Sequence, residues 1–259
     1  MNVVARDTAP RAFPFTTDDG IGARARIGLV VLATDATIEH ECRLLLNLPG
    51  VAIYESRIYN DADIRPDTLR AMEGGIADAT RLILPGERLD VVGFGCTSAT
   101  MLLGEAAVGA RIREARPGVA FTTPVTGAFA GLRAFGAHRI AVLTPYSDEV
   151  NAGIRGYIEQ HGFVVAAMGS FKERDDNVVA RISPDSIADA AAQLVAGSGA
   201  EALFVSCTSL RLAERVAALE ARIGVPATSS NHAMAWHSLR LAGVADARPE
   251  FGRLFTLAA

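Results

Sequence analysis

The fold is decided by Leu89-Asp90-Val91-Val92-Gly93-Phe94-Gly95-Cys96-Thr97-Ser98, where an apolar run ends in a cysteine and a helical pattern begins. The second half of the chain repeats the design in Ala202-Leu203-Phe204-Val205-Ser206-Cys207-Thr208-Ser209. Each cysteine is therefore predicted to lie where a buried strand passes into a helix. In an α/β protein this is the carboxyl edge of the sheet, where ligands bind.

Two further sequence repeats accompany the repeated cysteine motif. Arg26-Ile27-Gly28-Leu29-Val30 returns as Arg139-Ile140-Ala141-Val142-Leu143, and Leu132-Arg133-Ala134-Phe135-Gly136 returns as Leu239-Arg240-Leu241-Ala242-Gly243. The three repeated motifs occur in the same order in both halves, and each is separated from its repeat by nearly the same number of residues. This favours a duplicated architecture over chance. The sequence therefore predicts two similar lobes that each present one thiol to a shared substrate.

Composition limits the classes of function. Half of the 259 residues are hydrophobic, and the net charge of −4 gives no basic surface for nucleic acid. No apolar run is long enough to span a membrane, and residues 1–21 lack an export signal, so a cytoplasmic protein is expected. Three cysteines fit poorly with a disulfide framework, because their number is odd and cytoplasmic thiols stay reduced.

Strand and helix patterns alternate along the chain, which is typical of parallel sheets with helices on both faces. We therefore predict an α/β fold of two pseudo-symmetric lobes, with the active site between them. Residues 24–125 together with 235–259 are assigned to the first lobe and residues 126–234 to the second. Residues 1–23 are interpreted as an N-terminal arm. A homo-oligomer is expected, as for many compact enzymes.

Four predicted elements bear on the description that follows. We expect a strand over 51–57 with Val51 and Ile53 facing inward. Continuous helices are expected over 66–79, 98–115 and 210–223.

The two cysteines carry the predicted chemistry. The thiolate is the reactive form of cysteine, and the positive end of a helix lowers the pKa of a thiol placed there. Backbone N–H groups at the same helix starts can bind a substrate carboxylate or a developing enolate oxygen. The residues that supply them are Thr97, Ser98, Thr208 and Ser209, although such residues also serve as plain helix caps.

Three other motifs, together with Gly95-Cys96-Thr97-Ser98, point to a family. They are Thr144-Pro145-Tyr146-Ser147-Asp148-Glu149-Val150-Asn151, Asp175-Asp176-Asn177-Val178-Val179-Ala180-Arg181-Ile182 and Thr228-Ser229-Ser230-Asn231-His232-Ala233-Met234-Ala235-Trp236. From about residue 25 onward the chain resembles the aspartate/glutamate racemase superfamily, in its maleate isomerase and arylmalonate decarboxylase branch. The strongest likeness is to the maleate-isomerase-like proteins of ectoine utilisation.

The resemblance implies a role for each matching residue. Cys96 would add to a substrate alkene as the nucleophile, and Cys207 would manage the proton on the adjoining carbon. Tyr146 would donate a hydrogen bond to a substrate carboxylate, and Asn177 would help to hold the substrate. The substrate would be a small carboxylate, and neither a cofactor nor a metal is implied. Arylmalonate decarboxylases have glycine in place of the first cysteine, so Cys96 argues against native decarboxylation.

One residue departs from the family pattern. Maleate isomerases carry an asparagine after the first strand that contacts a carboxylate, whereas this chain has Asp35 there. An aspartate would repel a substrate carboxylate unless one of the two were protonated. We therefore hypothesise that the substrate differs from maleate at that end and carries an amine or a hydroxyl. The alternative is that Asp35 is a helix cap.

Other readings of the residues stay open at this point. The paired thiols could act as the two bases of an amino-acid or hydantoin racemase, removing and returning a proton on opposite faces. The lobes could also belong to a non-catalytic protein that binds a small metabolite. Cys42 is interpreted as a buried apolar group on a helix face, and two cysteines without paired ligands make a poor zinc site.

Overall fold

Two four-stranded parallel sheets form the protein, and the computed structural model describes residues 10–258. The strands of the first sheet are β1 (Ala25–Leu32), β2 (Val51–Ile58), β3 (Val91–Phe94) and β4 (Ala120–Thr122). Those of the second are β5 (Arg139–Thr144), β6 (Val164–Ser170), β7 (Ala202–Val205) and β8 (Ala227–Ser229). The spatial orders β2-β1-β3-β4 and β6-β5-β7-β8 are one topology used twice, which confirms the predicted α/β fold.

Helices connect the strands and flank the sheets. They are α1 (Ile38–Leu45), α2 (Pro66–Ala71), α3 (Ile76–Leu82), α4 (Thr97–Leu103), α5 (Glu105–Ala115), α6 (Pro124–Ala134), α7 (Asp148–Gln160), α8 (Asp176–Val179), α9 (Pro184–Val195), α10 (Val216–Ile223) and α11 (Ser230–Leu241). Short 3₁₀ turns lie at 72–75, 213–215, 249–251 and 253–256.

The central strand β1 shows why the strands of these sheets are continuous apolar runs in the sequence. Ile27, Leu29 and Val31 face one apolar cluster, whereas Val30 and Leu32 face a second cluster on the opposite side. A parallel strand covered on both faces keeps no polar side, so its sequence does not alternate. Strands β1 and β3 pair in the middle of the first sheet, and the chain leaves them in opposite directions. This switch point is where α/β proteins bind ligands.

The side chains of β2 that face inward are not the ones predicted. Ala52 and Ser56 are buried there, whereas Val51 and Ile53 are only half-buried. Among the strands of residues 10–258, β2 lies at the edge of its sheet and pairs only with β1, so apolar character along it is a weak guide to which face is inward.

The three predicted continuous helices are interrupted. The 98–115 helix is divided at Gly104, whose φ of +87° lies in a region that favours glycine and ends α4 before α5 begins. The 210–223 helix starts only at Val216, after a 3₁₀ turn. Another 3₁₀ turn, at 72–75, separates α2 from α3 inside the predicted 66–79 helix. Helical spacing of apolar residues continues through each interruption, which is why the sequence pattern did not reveal it.

Helices α6 and α11 pack closely against each other between the two sheets. The α6 residue Phe129 stacks on His161 and Phe163 of the second half, while α11 contacts β3 and β4 of the first sheet. Their approach is close enough that a Cβ on Gly127 would lie 2.6 Å from the carbonyl oxygen of Ala233. The assignment of 24–125 with 235–259 and of 126–234 to separate lobes stays a prediction.

A second connection runs across the open ends of the sheets. The loop after β2 forms an antiparallel bridge to the segment before α8, between Asp63 and Asp175. The backbone N–H of Ile64 donates to the carbonyl of Arg174 at 3.3 Å, and the Arg174 guanidinium pairs with Asp63 at 2.9 Å. These contacts hold the two halves together over the carboxyl edges of both sheets.

The predicted N-terminal arm is described only in part. Residues 10–21 are exposed and contain no helix or strand, and residues 1–9 lie outside the described part of the chain. Within residues 10–258, no helix combines the length and apolar character needed to cross a membrane.

Candidate active site

Cys96 lies at the end of β3 and caps helix α4. Its Sγ accepts a hydrogen bond from the backbone N–H of Ala99 at 3.4 Å and lies 3.8 Å from the Ser98 hydroxyl. The neighbouring Thr97 hydroxyl is 2.8 Å from the Ser230 hydroxyl at the start of α11. The first cysteine therefore has the strand-to-helix position that the sequence predicts.

Cys207 follows β7 but enters a turn rather than a helix, so its predicted place at a helix start is wrong. The loop is instead held by two side chains, one from the first half of the molecule and one from the start of α11. The carbonyl oxygen of Thr208 accepts a hydrogen bond from the Thr37 hydroxyl at 2.6 Å and one from the Asn231 amide at 2.7 Å. Side-chain donors thus supply the rigidity that a helix gives to Cys96.

The two cysteines line one cavity between the sheets. Its volume is ≈ 20 Å³, room for about one water molecule, so the cavity is small. Six residues selected from the sequence line it: Cys96, Thr97, Ser98, Tyr146, Cys207 and Thr208. Residues that sequence reasoning missed also line it, among them Leu32, Asn60, Asp61, Ile64, Leu69 and Asp176. Several of these lie on the loop after β2, which the sequence did not mark as part of a site.

Tyr146 extends from the end of β5 toward the cysteines and is buried. Its carbonyl oxygen accepts hydrogen bonds from the Asn151 amide at 2.8 Å and the Ser170 hydroxyl. Burial raises the pKa of the Tyr146 phenol, and the adjacent Cys207 thiol raises it further. The phenol is therefore a neutral hydrogen-bond donor beside the sulfur.

The thiols are harder to ionise than the sequence predicts. Burial raises the pKa of Cys96 to about 12, against the opposing hydrogen bond from Ala99. Burial also raises the pKa of Cys207 above its ordinary value, and the next-largest cause is the carboxylate of Asp176. The predicted lowering by a helix end applies to Cys96 alone and is outweighed there, because burial disfavours the charged form of both thiols.

Asp35 lies outside the cavity lining. Its Oδ1 accepts hydrogen bonds from the backbone N–H groups of Thr37 at 2.8 Å and Ile38 at 2.9 Å, ahead of α1. Burial raises the pKa of this carboxyl group, and Asp176 adds to the effect. The contacts of Asp35 are therefore those of the capping alternative. Asp35 does not line the cavity in which a substrate would bind.

The structure does not bring Asn177 to the cavity. Asn177 is exposed and its backbone N–H is held by Asp175, whereas the preceding residue Asp176 is buried and lines the cavity. Asp175 caps the short helix α8, which turns position 176 inward and position 177 outward. The capping pattern could have indicated this, since the motif contains two aspartates and only one of them can be the cap.

Ser209 is buried next to the cavity without lining it. Its hydroxyl donates to Asp176 Oδ1 at 2.7 Å, and its backbone N–H donates toward the Cys207 thiol. Among residues 10–258, no group of three or more His, Cys, Asp or Glu side chains is arranged to hold a metal ion.

The fold and the site define a class of protein: a two-lobed α/β enzyme with one thiol from each half on a shared cavity. The chain belongs to the arylmalonate decarboxylase family, whose family model matches residues 77–255. It is 31% identical to an arylmalonate decarboxylase from Bordetella bronchiseptica over 197 residues, 74% of this chain and 81% of that relative. A maleate isomerase from Nocardia farcinica is 29% identical over 244 residues, 88% of this chain and 94% of that one.

Solved structures agree with the sequence relatives. The Nocardia farcinica maleate cis-trans isomerase, as a cysteine-to-serine variant with a covalently bound succinylcysteine intermediate, matches with a TM-score of 0.82 at 26% identity. The match covers 90% of this chain and 98% of that one. A liganded arylmalonate decarboxylase variant matches with a TM-score of 0.77 at 29% identity, covering 89% and 98% of the two chains. The predicted relation to this branch of the superfamily is confirmed.

Proposed function

We propose that the protein isomerises a small carboxylate without a cofactor, with Cys96 as nucleophile and Cys207 as proton donor and acceptor. Maleate-type cis–trans isomerisation is the leading reaction. The observation that carries the proposal is the opening of both thiols onto one cavity between the sheets. The succinylcysteine intermediate in the Nocardia farcinica relative supports covalent addition of a cysteine in this family.

The proposed reaction needs one thiolate and one thiol. The Cys96 thiolate forms a bond to one alkene carbon, while Cys207 gives its proton to the adjacent carbon. The former double bond is then single and rotates. The Cys207 thiolate removes a proton from the same carbon, the carbon–sulfur bond breaks, and its electron pair returns to Cys96. Atoms and electrons balance without an oxidant or a reductant.

The surroundings of the sulfurs support this division of roles. The charge of Asp176 is the second-largest cause of the raised pKa of Cys207, whereas at Cys96 the hydrogen bonds from Ala99 and Ser98, which lower the pKa, rank ahead of it. A nearby negative charge keeps Cys207 protonated, which suits the proton donor. Cys96 has the Ala99 N–H directed at its sulfur, and such a contact stabilises a thiolate.

The substrate carboxylate is proposed to bind the backbone at the two cysteine loops. Thr97 and Ser98 lie in the first turn of α4, where backbone N–H groups have no acceptor within the helix. Thr208 and Ser209 supply the matching positions after Cys207. The neutral Tyr146 phenol would donate a further hydrogen bond, so the cavity can hold an anion without a cationic side chain.

The test follows small carboxylates and amino acids by proton NMR in heavy water, which reports isomerisation, exchange and decarboxylation together. We expect isomerisation that disappears in Cys96→Ser and Cys207→Ser. The matched control Cys42→Ala removes the third thiol, on the buried face of α1, and should retain turnover. A mass increase equal to the substrate on Cys96 supports addition. Full turnover in Cys96→Ser would overturn the proposal.

Two-base racemisation is the second candidate, because two thiols on one cavity can also exchange a proton on opposite faces of a carbon. The same experiment separates the reactions: deuterium entering a stereocentre without a Cys96 adduct favours the racemase. A non-catalytic binder would keep both its ligand affinity and its effect after both serine substitutions. A role in ectoine breakdown, a homo-oligomeric state and a cytoplasmic location stay predictions.

A further inference from the structure

Asp176 is a buried carboxylate in the wall of the cavity. Only 5% of its surface is exposed, and it lies beside the loop that carries Cys207. Its Oδ1 accepts a hydrogen bond from the Ser209 hydroxyl at 2.7 Å, and its Oδ2 accepts one from the Thr34 hydroxyl at 2.6 Å. Both oxygens therefore have a donor from the protein and retain acceptor capacity toward the cavity.

A directed chain of hydrogen bonds fixes the donor role of Thr34. The backbone N–H of Thr34 donates to Asn60 Oδ1 at 3.1 Å, which orients the Asn60 amide. The amide nitrogen of Asn60 then donates to the Thr34 hydroxyl at 2.7 Å. Since Thr34 receives a proton there, its own proton points to Asp176. An acceptor at both oxygens is what an ionised carboxylate provides.

Within the described part of the chain, no positive side chain balances this charge. No lysine, arginine or histidine lines the cavity, and none of the ion pairs within residues 10–258 includes Asp176. A second aspartate, Asp61, lies on the rim, and the buried Asp35 adds its charge nearby. A dicarboxylate dianion would bring two more negative charges into the same small space, which opposes its binding.

We propose that the substrate carries a protonated amine that binds Asp176, so that the site takes a small amino carboxylate. The inference rests on the proposed function, since it uses the same cavity and the same cysteines. The ammonium group would complete the coordination of Asp176, and the carboxylate would lie against the backbone of the cysteine loops. A charge-assisted hydrogen bond of this kind changes affinity by about tenfold or more.

The test uses three probes that differ at one carbon: succinate with hydrogen, L-malate with a hydroxyl, and L-aspartate with an ammonium group. Each probe protects Cys96 and Cys207 of the full-length protein from iodoacetamide, and the concentration for half-protection is measured by mass spectrometry. We expect L-aspartate to protect at a concentration about tenfold or more below that of succinate. The enantiomer D-aspartate is included, since handedness is not assumed.

Substitution then assigns the preference to one side chain. Asp176→Asn keeps the size and can still accept from Thr34, so it should remove the preference for the amine. Asp185→Asn, at an exposed site on α9, removes the same charge elsewhere and should leave the preference unchanged. Thermal unfolding of each variant checks that the fold is intact, and the selectivity of the natural chain is informative even if Asp176→Asn does not fold.

Equal or better protection by succinate overturns the inference, and so does a preference that survives in Asp176→Asn. Better protection by L-malate than by either aspartate also overturns it, because a hydroxyl would then be the preferred group. If none of the four probes protects Cys96 and Cys207 from alkylation, the inference is also overturned. Turnover of a plain carboxylate in the NMR assay would then show that the proposed function stands and only the charge assignment fails.

Discussion

Replacement of Glu41 by glutamine should change how stability depends on pH. Glu41 lies on α1 and is buried, yet it binds the second half of the molecule. Its Oε1 accepts hydrogen bonds from the backbone N–H groups of Leu212 and Ala213, both at 2.7 Å, and its Oε2 accepts one from the Asn231 amide at 2.7 Å. These residues hold the loop that follows Cys207.

The expected magnitude follows from the pKa of this carboxyl group. Burial raises the pKa of Glu41 from 4.5 to about 7, against the three hydrogen bonds that lower it. Folding therefore takes up a proton between these two values. The contribution of Glu41 to stability is largest below pH 4.5 and falls as the pH rises through about 7. At 1.36 kcal/mol for each pKa unit, the loss is about 3 kcal/mol.

Urea unfolding at pH values from 5 to 8 measures this effect directly. The natural chain should lose about 2.5 kcal/mol of unfolding free energy over this range, whereas Glu41→Gln, which has no titrating group at this position, should lose much less. The control Glu149→Gln, at an exposed position on α7, should follow the natural chain. Parallel pH curves for the natural chain and Glu41→Gln would refute the reasoning.

Three further substitutions and reactions probe the packing and the thiols. Gly127→Ala should destabilise the protein by about 2 kcal/mol in thermal or urea unfolding, because the new Cβ would lie 2.6 Å from the carbonyl oxygen of Ala233. Alkylation of Cys96 should accelerate about tenfold per pH unit between pH 7 and 9, because its pKa is about 12; a plateau in that range would contradict this. Arg174→Ala removes the ion pair with Asp63 and should increase the alkylation rate of both cavity thiols without lowering the melting temperature by more than a few degrees.

The duplicated architecture was predictable because burial on both faces makes a strand continuously apolar, and that pattern is visible in Ile27–Leu32 and Ala202–Val205. The positions of the cysteines at the strand ends followed from it. The start of helix α10 was not predictable, because the 3₁₀ turn before it keeps helical spacing. Its true constraint is long-range: Glu41 accepts the N–H groups of residues 212 and 213 from the other half of the molecule.

The choice between Asp176 and Asn177 shows a second limit of sequence reasoning. Which residue of a short polar motif turns inward depends on a single cap, here Asp175, and on the contact of the segment with the loop after β2. The ionisation of the cysteines shows a third limit. The sign of a pKa change depends on the balance between burial and local hydrogen bonds, and burial cannot be read from a strand-to-helix junction alone.

The two halves share a topology, but the residues that surround Cys96 differ from those that surround Cys207. The proposed chemistry requires such a difference. Both sulfurs receive a backbone N–H, but Cys96 caps a helix, whereas Cys207 lies in a loop held by the side chains of Thr37 and Asn231. Identical surroundings would give both thiols the same tendency to ionise, and neither would then be preferred as nucleophile or acid. The carboxylate of Asp176 contributes to the difference, because its charge favours the protonated thiol and is the second-largest cause of the raised pKa at Cys207, whereas two hydrogen bonds that lower the pKa rank ahead of it at Cys96.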